Sequence, residues 1–170
     1  MPPATKKTHT RSRQPNVAGV EAPLDDVLEF MGLIWAIDHE MERVSKRMET
    51  TIGLTIPQRM SLLLIGQRPG MLASDLARIL HLHRGTVTGI IQRIEAAGFV
   101  KRTIDPVDSR RVGLSLTPAG RRMNDLRTGT FEAAVRHVLA SVTQDEMAVA
   151  SQVLTTLAAE LRAAAGSAAH

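Results

Sequence analysis

Arg110 and Arg111 stand side by side at the end of the run Thr103-Ile104-Asp105-Pro106-Val107-Asp108-Ser109-Arg110-Arg111. A guanidinium is always charged near neutral pH and offers a planar fork of N–H donors, which suits phosphate oxygens and the edge of guanine. The flanking runs, 99–103 and 112–116, are short and β-branched or apolar, with polar turn residues between them. That pattern predicts a β-hairpin carrying the two arginines on its loop. Asp108 can pair with Arg110 and hold it in place, leaving Arg111 to reach a phosphate backbone or a narrow, electronegative minor groove; the two arginines can also exchange these roles.

A second group of residues lies upstream. Between a turn at His81-Leu82-His83 and Gly98, residues 84–97 carry Val87, Ile90, Ile91, Ile94 and Ala97 at helical spacing, which predicts a helix buried along that stripe. Its opposite face offers Arg84, Gly85, Thr88, Gly89, Gln92 and Arg93. Small residues let such a face enter a major groove. Thr88 and Gln92, one turn apart, can touch neighbouring base edges, while Arg84 and Arg93 suit phosphate or sugar, and Arg84 alternatively guanine.

These groups need elements to hold them. Before the 84–97 helix, residues 73–80 read as a short helix with Leu76, Ala77 and Leu80 inward, so the pair forms a helix-turn-helix. Thr55-Ile56-Pro57-Gln58 reads as a capping box opening an earlier helix that carries Met60, Leu63 and Leu64 and ends near Arg68-Pro69-Gly70. A helix-turn-helix followed directly by a basic hairpin is the layout of a winged helix, and points to double-stranded DNA.

Charge is distributed accordingly. The 170 residues carry a net +4, but residues 1–23 hold +3, residues 24–53 hold −4, residues 54–122 hold +7 and residues 123–170 hold −2. Positive charge is thus concentrated on the segment that would meet phosphate. An RNA or another acidic partner would be served by the same segregation.

Residues 1–22, rich in Pro, Thr, Lys and Arg, predict a disordered basic tail. Apolar residues from Leu24 to Met48, Trp35 among them, recur at the spacing of a long amphipathic helix. Thr117-Pro118 opens a helix carrying Met123, Leu126, Phe131, Val135 and Val138, and the capping box Thr143-Gln144-Asp145-Glu146 opens another with Met147, Ala150, Val153, Leu154, Leu157 and Leu161 inward. A single DNA-reading core cannot bury all these terminal helices. A two-fold homodimer is the expected solution, and it sets paired reading helices about one DNA turn apart.

The expected organisation is mainly α with a small β-wing: a tail over 1–22, a dimerisation helix over 23–53, a winged helix-turn-helix over 54–117 and dimerisation helices over 118–165. Aromatic residues make up only 2% of the chain, which favours helices packed through aliphatic side chains over sheets. With no cysteine, disulfides, thiolate metal sites and thiol redox sensing are excluded. No apolar run approaches the roughly 20 residues that span a bilayer, and the polar N-terminus lacks the apolar stretch of a signal peptide. A cytoplasmic protein without membrane contact is expected.

The chain resembles the MarR family of transcriptional regulators. The resemblance rests on Leu54-Thr55 with Gln58, Gly70, Asp75-Leu76-Ala77, Thr86-Val87-Thr88, Ile94-Glu95 with Gly98, Asp105-Pro106 with Asp108 and Arg110, and Leu116-Thr117 with Gly120. It implies a homodimeric winged-helix repressor of a palindromic operator, released by a small molecule bound in a crevice between the dimer interface and the DNA-binding lobe. It also implies that residues 84–93, Thr86 included, belong to the recognition helix, and that Asp108 and Arg110 are the wing pair. His83 and Gly85 depart from the residues common there.

Trp35, Ile34 and His39 can line such a crevice, His39 bonding a phenolic or carboxylate ligand; the alternative, which weighs more, makes Trp35 core and His39 a surface or satisfied side chain. His81, His83 and His137 raise a zinc sensor, disfavoured because only Asp75 supplies a nearby carboxylate. No cofactor or metal is expected. A constitutive architectural DNA binder is the second reading. An enzyme is the third, and no nucleophile–base pair, phosphate-binding glycine loop or ligand cluster supports it.

Overall fold

The structure, a computed structural model, describes residues 22–104 and 112–167. Helix α1 (Leu24–Ile52) begins with Asp25 and Asp26 in its first turn, where carboxylates suit the helix dipole. It runs past Met48 to Gly53, whose φ of +72° ends it in the left-handed region that glycine adopts freely. The chain divides into two units between Glu40 and Met41, within this helix. In the first unit Leu24, Val27, Leu28, Met31 and Trp35 are exposed.

The second unit holds the remaining elements. Helix α2 (Ile56–Gln67) starts where the Gln58 side chain accepts from the Thr55 N–H at 3.0 Å, the returning half of the predicted capping box. Strand β1 (Met71–Leu72), helix α3 (Ala73–Leu80) and helix α4 (Arg84–Ala96) follow. Then come strands β2 (Val100–Ile104) and β3 (Val112–Leu116), and helices α5 (Pro118–Asn124), α6 (Phe131–Leu139) and α7 (Gln144–Ser167). The fold is mainly helical with a small three-stranded sheet, as expected for a winged helix-turn-helix.

One core serves α2, α3, α4 and the sheet. Leu62 and Ile65 of α2 pack with Leu76 of α3, with Val87, Ile91 and Ile94 of α4, and with Val100, Leu114 and Leu116 of the strands. The α4 stripe is buried as expected except at Ala97, which caps the helix and is exposed because Gly98, at φ +74°, turns the chain there.

The sheet has the order β1-β3-β2, all antiparallel. β1 was not expected from the sequence. Two residues have no periodicity to read, and β1 exists because Gly113 lets the chain at Gly70 come close: a β-carbon at 113 would lie 2.8 Å from the Gly70 oxygen. The Gly70 N–H then donates to the Leu114 carbonyl at 2.8 Å.

The closing helices differ from expectation in two ways. The helix opened by Thr117 is broken, ending as α5 at Asn124 and resuming as α6 at Phe131, with Gly129 at φ +71° between them. And the apolar residues expected inward on α7 are mostly exposed in the single chain, among them Met147, Val153, Leu154 and Leu161. Among the described residues no helix is long and apolar enough to cross a membrane.

Candidate nucleic-acid interface

The α3–α4 pair is joined by a turn whose pivot is His81, at φ +52°. Its N–H closes α3 on the Ala77 carbonyl. His83 then serves as N-cap of α4 in extended geometry, with its side chain making no capping hydrogen bond and standing exposed. Four residues, Val87, Ile90, Ile91 and Ile94, anchor α4 inward, and this fixes which side faces out.

Arg84, Gly85, Thr86, Thr88, Gln92 and Arg93 are all exposed. The structure therefore brings the five candidate contacts on this helix, Arg84, Thr86, Thr88, Gln92 and Arg93, onto its solvent side. Helical spacing sets Gly85, Gly89 and Gln92 along the middle of that side, with Arg84 and Thr88 on one flank and Thr86 and Arg93 on the other. Space outside both glycines is open: a β-carbon at 85 or 89 would meet nothing within 4 Å. Packing within the protein thus gives no reason for glycine in the first turn at 85 or in the helix interior at 89, where it costs about 1 kcal/mol relative to alanine.

Thr88 is already committed on one side. Its hydroxyl donates to the Arg84 carbonyl at 2.9 Å, so what it presents outward is lone pairs and a methyl group. It can accept from the amino group of adenine or cytosine, or touch a thymine methyl.

The β2–β3 hairpin is held beside α4. Val100 faces Leu116 and Ile104 faces Val112 in antiparallel register. Arg102 donates to Glu95 of α4 at 3.1 Å, tying the strand to the helix. Asp108, Arg110 and Arg111 belong to the segment joining Ile104 to Val112 and lie outside the described residues.

The base of the hairpin is fastened by Thr117. Its hydroxyl donates to the Gly98 carbonyl at 2.6 Å and accepts from the Gly120 N–H at 3.0 Å, while its own N–H donates to the Phe99 carbonyl at 3.0 Å. The spacing from Gly98 to Leu116-Thr117 and Gly120 is therefore a physical lock between the end of α4 and the start of α5.

The MarR family profile matches residues 54–112, the span of this lobe. The HTH-type transcriptional regulator TtmR of Methylorubrum extorquens (strain PA1) is 31% identical over 146 residues, which cover 85% of this chain and 72% of that protein. This chain belongs to the MarR family. The organic hydroperoxide resistance transcriptional regulator of Bacillus subtilis (strain 168), also 31% identical, aligns over 88 residues, 52% of this chain and 60% of that one. Among solved structures, FabT of Streptococcus pneumoniae in complex with DNA superposes with a TM-score of 0.60 at 26% identity, covering 82% of this chain and 98% of that one. The MarR chain described here is a winged helix-turn-helix DNA-binding regulator, and its family is one of transcription factors rather than enzymes.

The remaining candidates lie elsewhere. Trp35 is 78% exposed, so it is not core within its unit. His39, four residues on and therefore on the same side of α1, is exposed as well. Among the described residues no cluster of histidine and carboxylate side chains is placed to hold a metal.

Arg59 was not singled out by its sequence context. It sits in the first turn of α2, 1% exposed, with its guanidinium bonded to Glu132 of α6. An arginine beside a capping box normally reads as surface. The only available hint was its place one turn before Leu62 and Leu63, on a helix with no other charged residue.

Proposed function

We propose that this MarR chain is a homodimeric, sequence-specific repressor that reads a palindromic operator with α4 and is released from it by a small phenolic or aromatic ligand. The outward face of α4 carries the reading. Two glycines with open space outside them, flanked by Thr88, Gln92, Arg84 and Arg93, form a surface that a groove can approach to backbone distance. Thr88 and Gln92 contact base edges, Arg84, Thr86 and Arg93 contact the backbone or flanking bases, and Arg110 and Arg111 add wing contacts with Asp108 positioning Arg110. FabT, the structural relative described with DNA, supports the choice of partner.

The homodimer is supported by apolar residues left in solvent on three helices. Val27, Leu28 and Met31 of α1, Val135 and Val138 of α6, and Val153 and Leu154 of α7 are all exposed in the single chain. A second copy would bury them, consistent with residues 23–53 and 118–165 acting as dimerisation helices. Trp35 and His39 are proposed to meet the ligand, the indole stacking on an aromatic ring and the imidazole bonding a phenol or carboxylate. The hydroperoxide named for the Bacillus relative cannot act here through a thiol, because this sequence has no cysteine.

Binding-site selection, repeated with a panel of phenolic and aromatic acids, tests this reading. A palindromic motif lost with some members of the panel is expected. A motif-free selection unaffected by every acid would instead indicate a constitutive architectural binder.

A further inference from the structure

The break between α5 and α6, where Gly129 turns the chain and Arg127 bonds the Asn124 and Leu126 carbonyls, is also bound by a side chain from a distant helix. The Arg59 guanidinium donates to the carbonyls of Met123, Asn124 and Leu126, at the end of α5 and the turn after it. Those are carbonyls that a continuous helix would satisfy with its own amides. Arg59 also donates twice to one oxygen of Glu132, from Nε at 2.8 Å and from Nη2. One residue before Glu132, the Phe131 N–H points to the Met48 sulfur of α1 at 3.3 Å, and Met48 is completely buried. The first turn of α6 is thus clasped from two sides.

This clasp behaves differently from a surface ion pair. The Arg59 side chain is 1% exposed and its partner 19% exposed, so separating them strands a charge with little water to take over. All three guanidinium nitrogens are occupied. Leaving any of these partners unmet is costly at a buried guanidinium, which favours the one bonded geometry. While it holds, the start of α6 moves with α2, and α2 shares its core with the recognition helix through Leu62, Ile65, Ile91 and Ile94.

We propose that the Arg59–Glu132 clasp is the joint through which the DNA-reading lobe and helix α6 sense each other, so that occupation of α4 by DNA alters α6, and disturbance of α6 alters α4. Arg59 is in this sense a positioning residue that touches no DNA. The proposal rests on the reading of α4 as the DNA-contacting helix. By linkage, the coupling must act equally in both directions.

Hydrogen–deuterium exchange on the full-length protein, with and without a duplex holding one half of the selected motif, provides the test. A half-site engages one lobe, so any response of α6 must travel through the protein. In the wild type, the duplex is expected to slow exchange in α4 and to change exchange in α6 by about fivefold or more. In the double variant R59M/E132L, which replaces the buried pair by apolar side chains of similar size, α4 protection should persist while the α6 response disappears. E132Q keeps an acceptor and removes the charge. It should bind the duplex with a reduced α6 response, and it carries the test if the double variant does not fold.

An α6 response of wild-type size in a folded, DNA-binding variant overturns the proposal. So does a wild type whose α4 responds and whose α6 does not. A wild type in which α4 itself is unaffected by every duplex identifies a different failure, that of the DNA reading.

Discussion

Gly120 packs on Phe99 so closely that a β-carbon at position 120 would stand 1.9 Å from the Phe99 carbonyl oxygen. Neither neighbour can give way cheaply, since the Phe99 carbonyl also accepts from the Thr117 N–H at 3.0 Å. Substitution G120A should therefore destabilise the lobe by about 3 kcal/mol or more, at the upper end of overpacking costs. Chemical denaturation checks this, and a change under 1 kcal/mol would be too small for the contact described.

Gly85 and Gly89 call for the opposite sign. Alanine at either position fills open space, so G89A, in the helix interior, should raise stability by about 0.5–1 kcal/mol and G85A, in the first turn, by less. Both should nevertheless weaken operator binding, because the added methyl group projects where a groove must come close. Thermal unfolding and a binding titration on the same samples separate the two effects. Undiminished affinity in both variants would place the DNA elsewhere.

Thr88 presents acceptor lone pairs and a methyl group, its proton being given to Arg84. T88V keeps the shape and loses the acceptor, whereas T88S keeps the acceptor and loses the methyl. If Thr88 accepts from a base amino group, T88V should lose about 1–3 kcal/mol of discrimination at one operator position while T88S retains it. Binding-site selection with both variants reads this out, and an unchanged motif for each would remove Thr88 from the reading set.

Glu132 links stability to pH. Burial raises its pKa, but the hydrogen bonds and the charge of Arg59 outweigh this and hold it below the ordinary value. A group whose folded-state pKa is depressed stabilises fully above its unfolded pKa, about 4.3, and loses that contribution as pH falls through the folded value. The wild type should thus be more stable than E132Q at neutral pH, with the gap narrowing below about pH 4. Melting curves from pH 7 downward would show it, and a gap independent of pH would contradict the assignment.

As the proposed wing contacts, Arg110 and Arg111 are expected to bear on phosphate more than on sequence. Each arginine-to-alanine change should weaken binding across sequences and lower the slope of log affinity against log salt by about 1. Titrations at several salt concentrations measure the slope. Wild-type affinity and slope in both variants would exclude the wing from the interface.

Much of this architecture was legible from residue order alone. The span 73–80, the start of α4 at Arg84, the strand at 112–116 and the helix starts at Thr55, Thr117 and Thr143 are local matters. Capping hydrogen bonds, proline placement and apolar periodicity act within a few residues, so they can be read from a few residues. The candidate DNA face was legible for the same reason: once Val87, Ile90, Ile91 and Ile94 point inward, helical geometry dictates that Arg84, Thr88, Gln92 and Arg93 point out.

The tertiary structure alone decided what depends on residues far apart in the chain. Periodicity carries Met123 through Val138 as one helix, yet Arg59, more than 60 residues earlier, takes the carbonyls that would continue it. Strand β1 exists only because Gly113 admits Gly70, and Gly120 is required only because Phe99 lies against it. A side chain's own neighbours encode its preference. Its partner across the fold is set by how the elements pack, and there a buried arginine binds the carbonyls left open where Gly129 turns the chain.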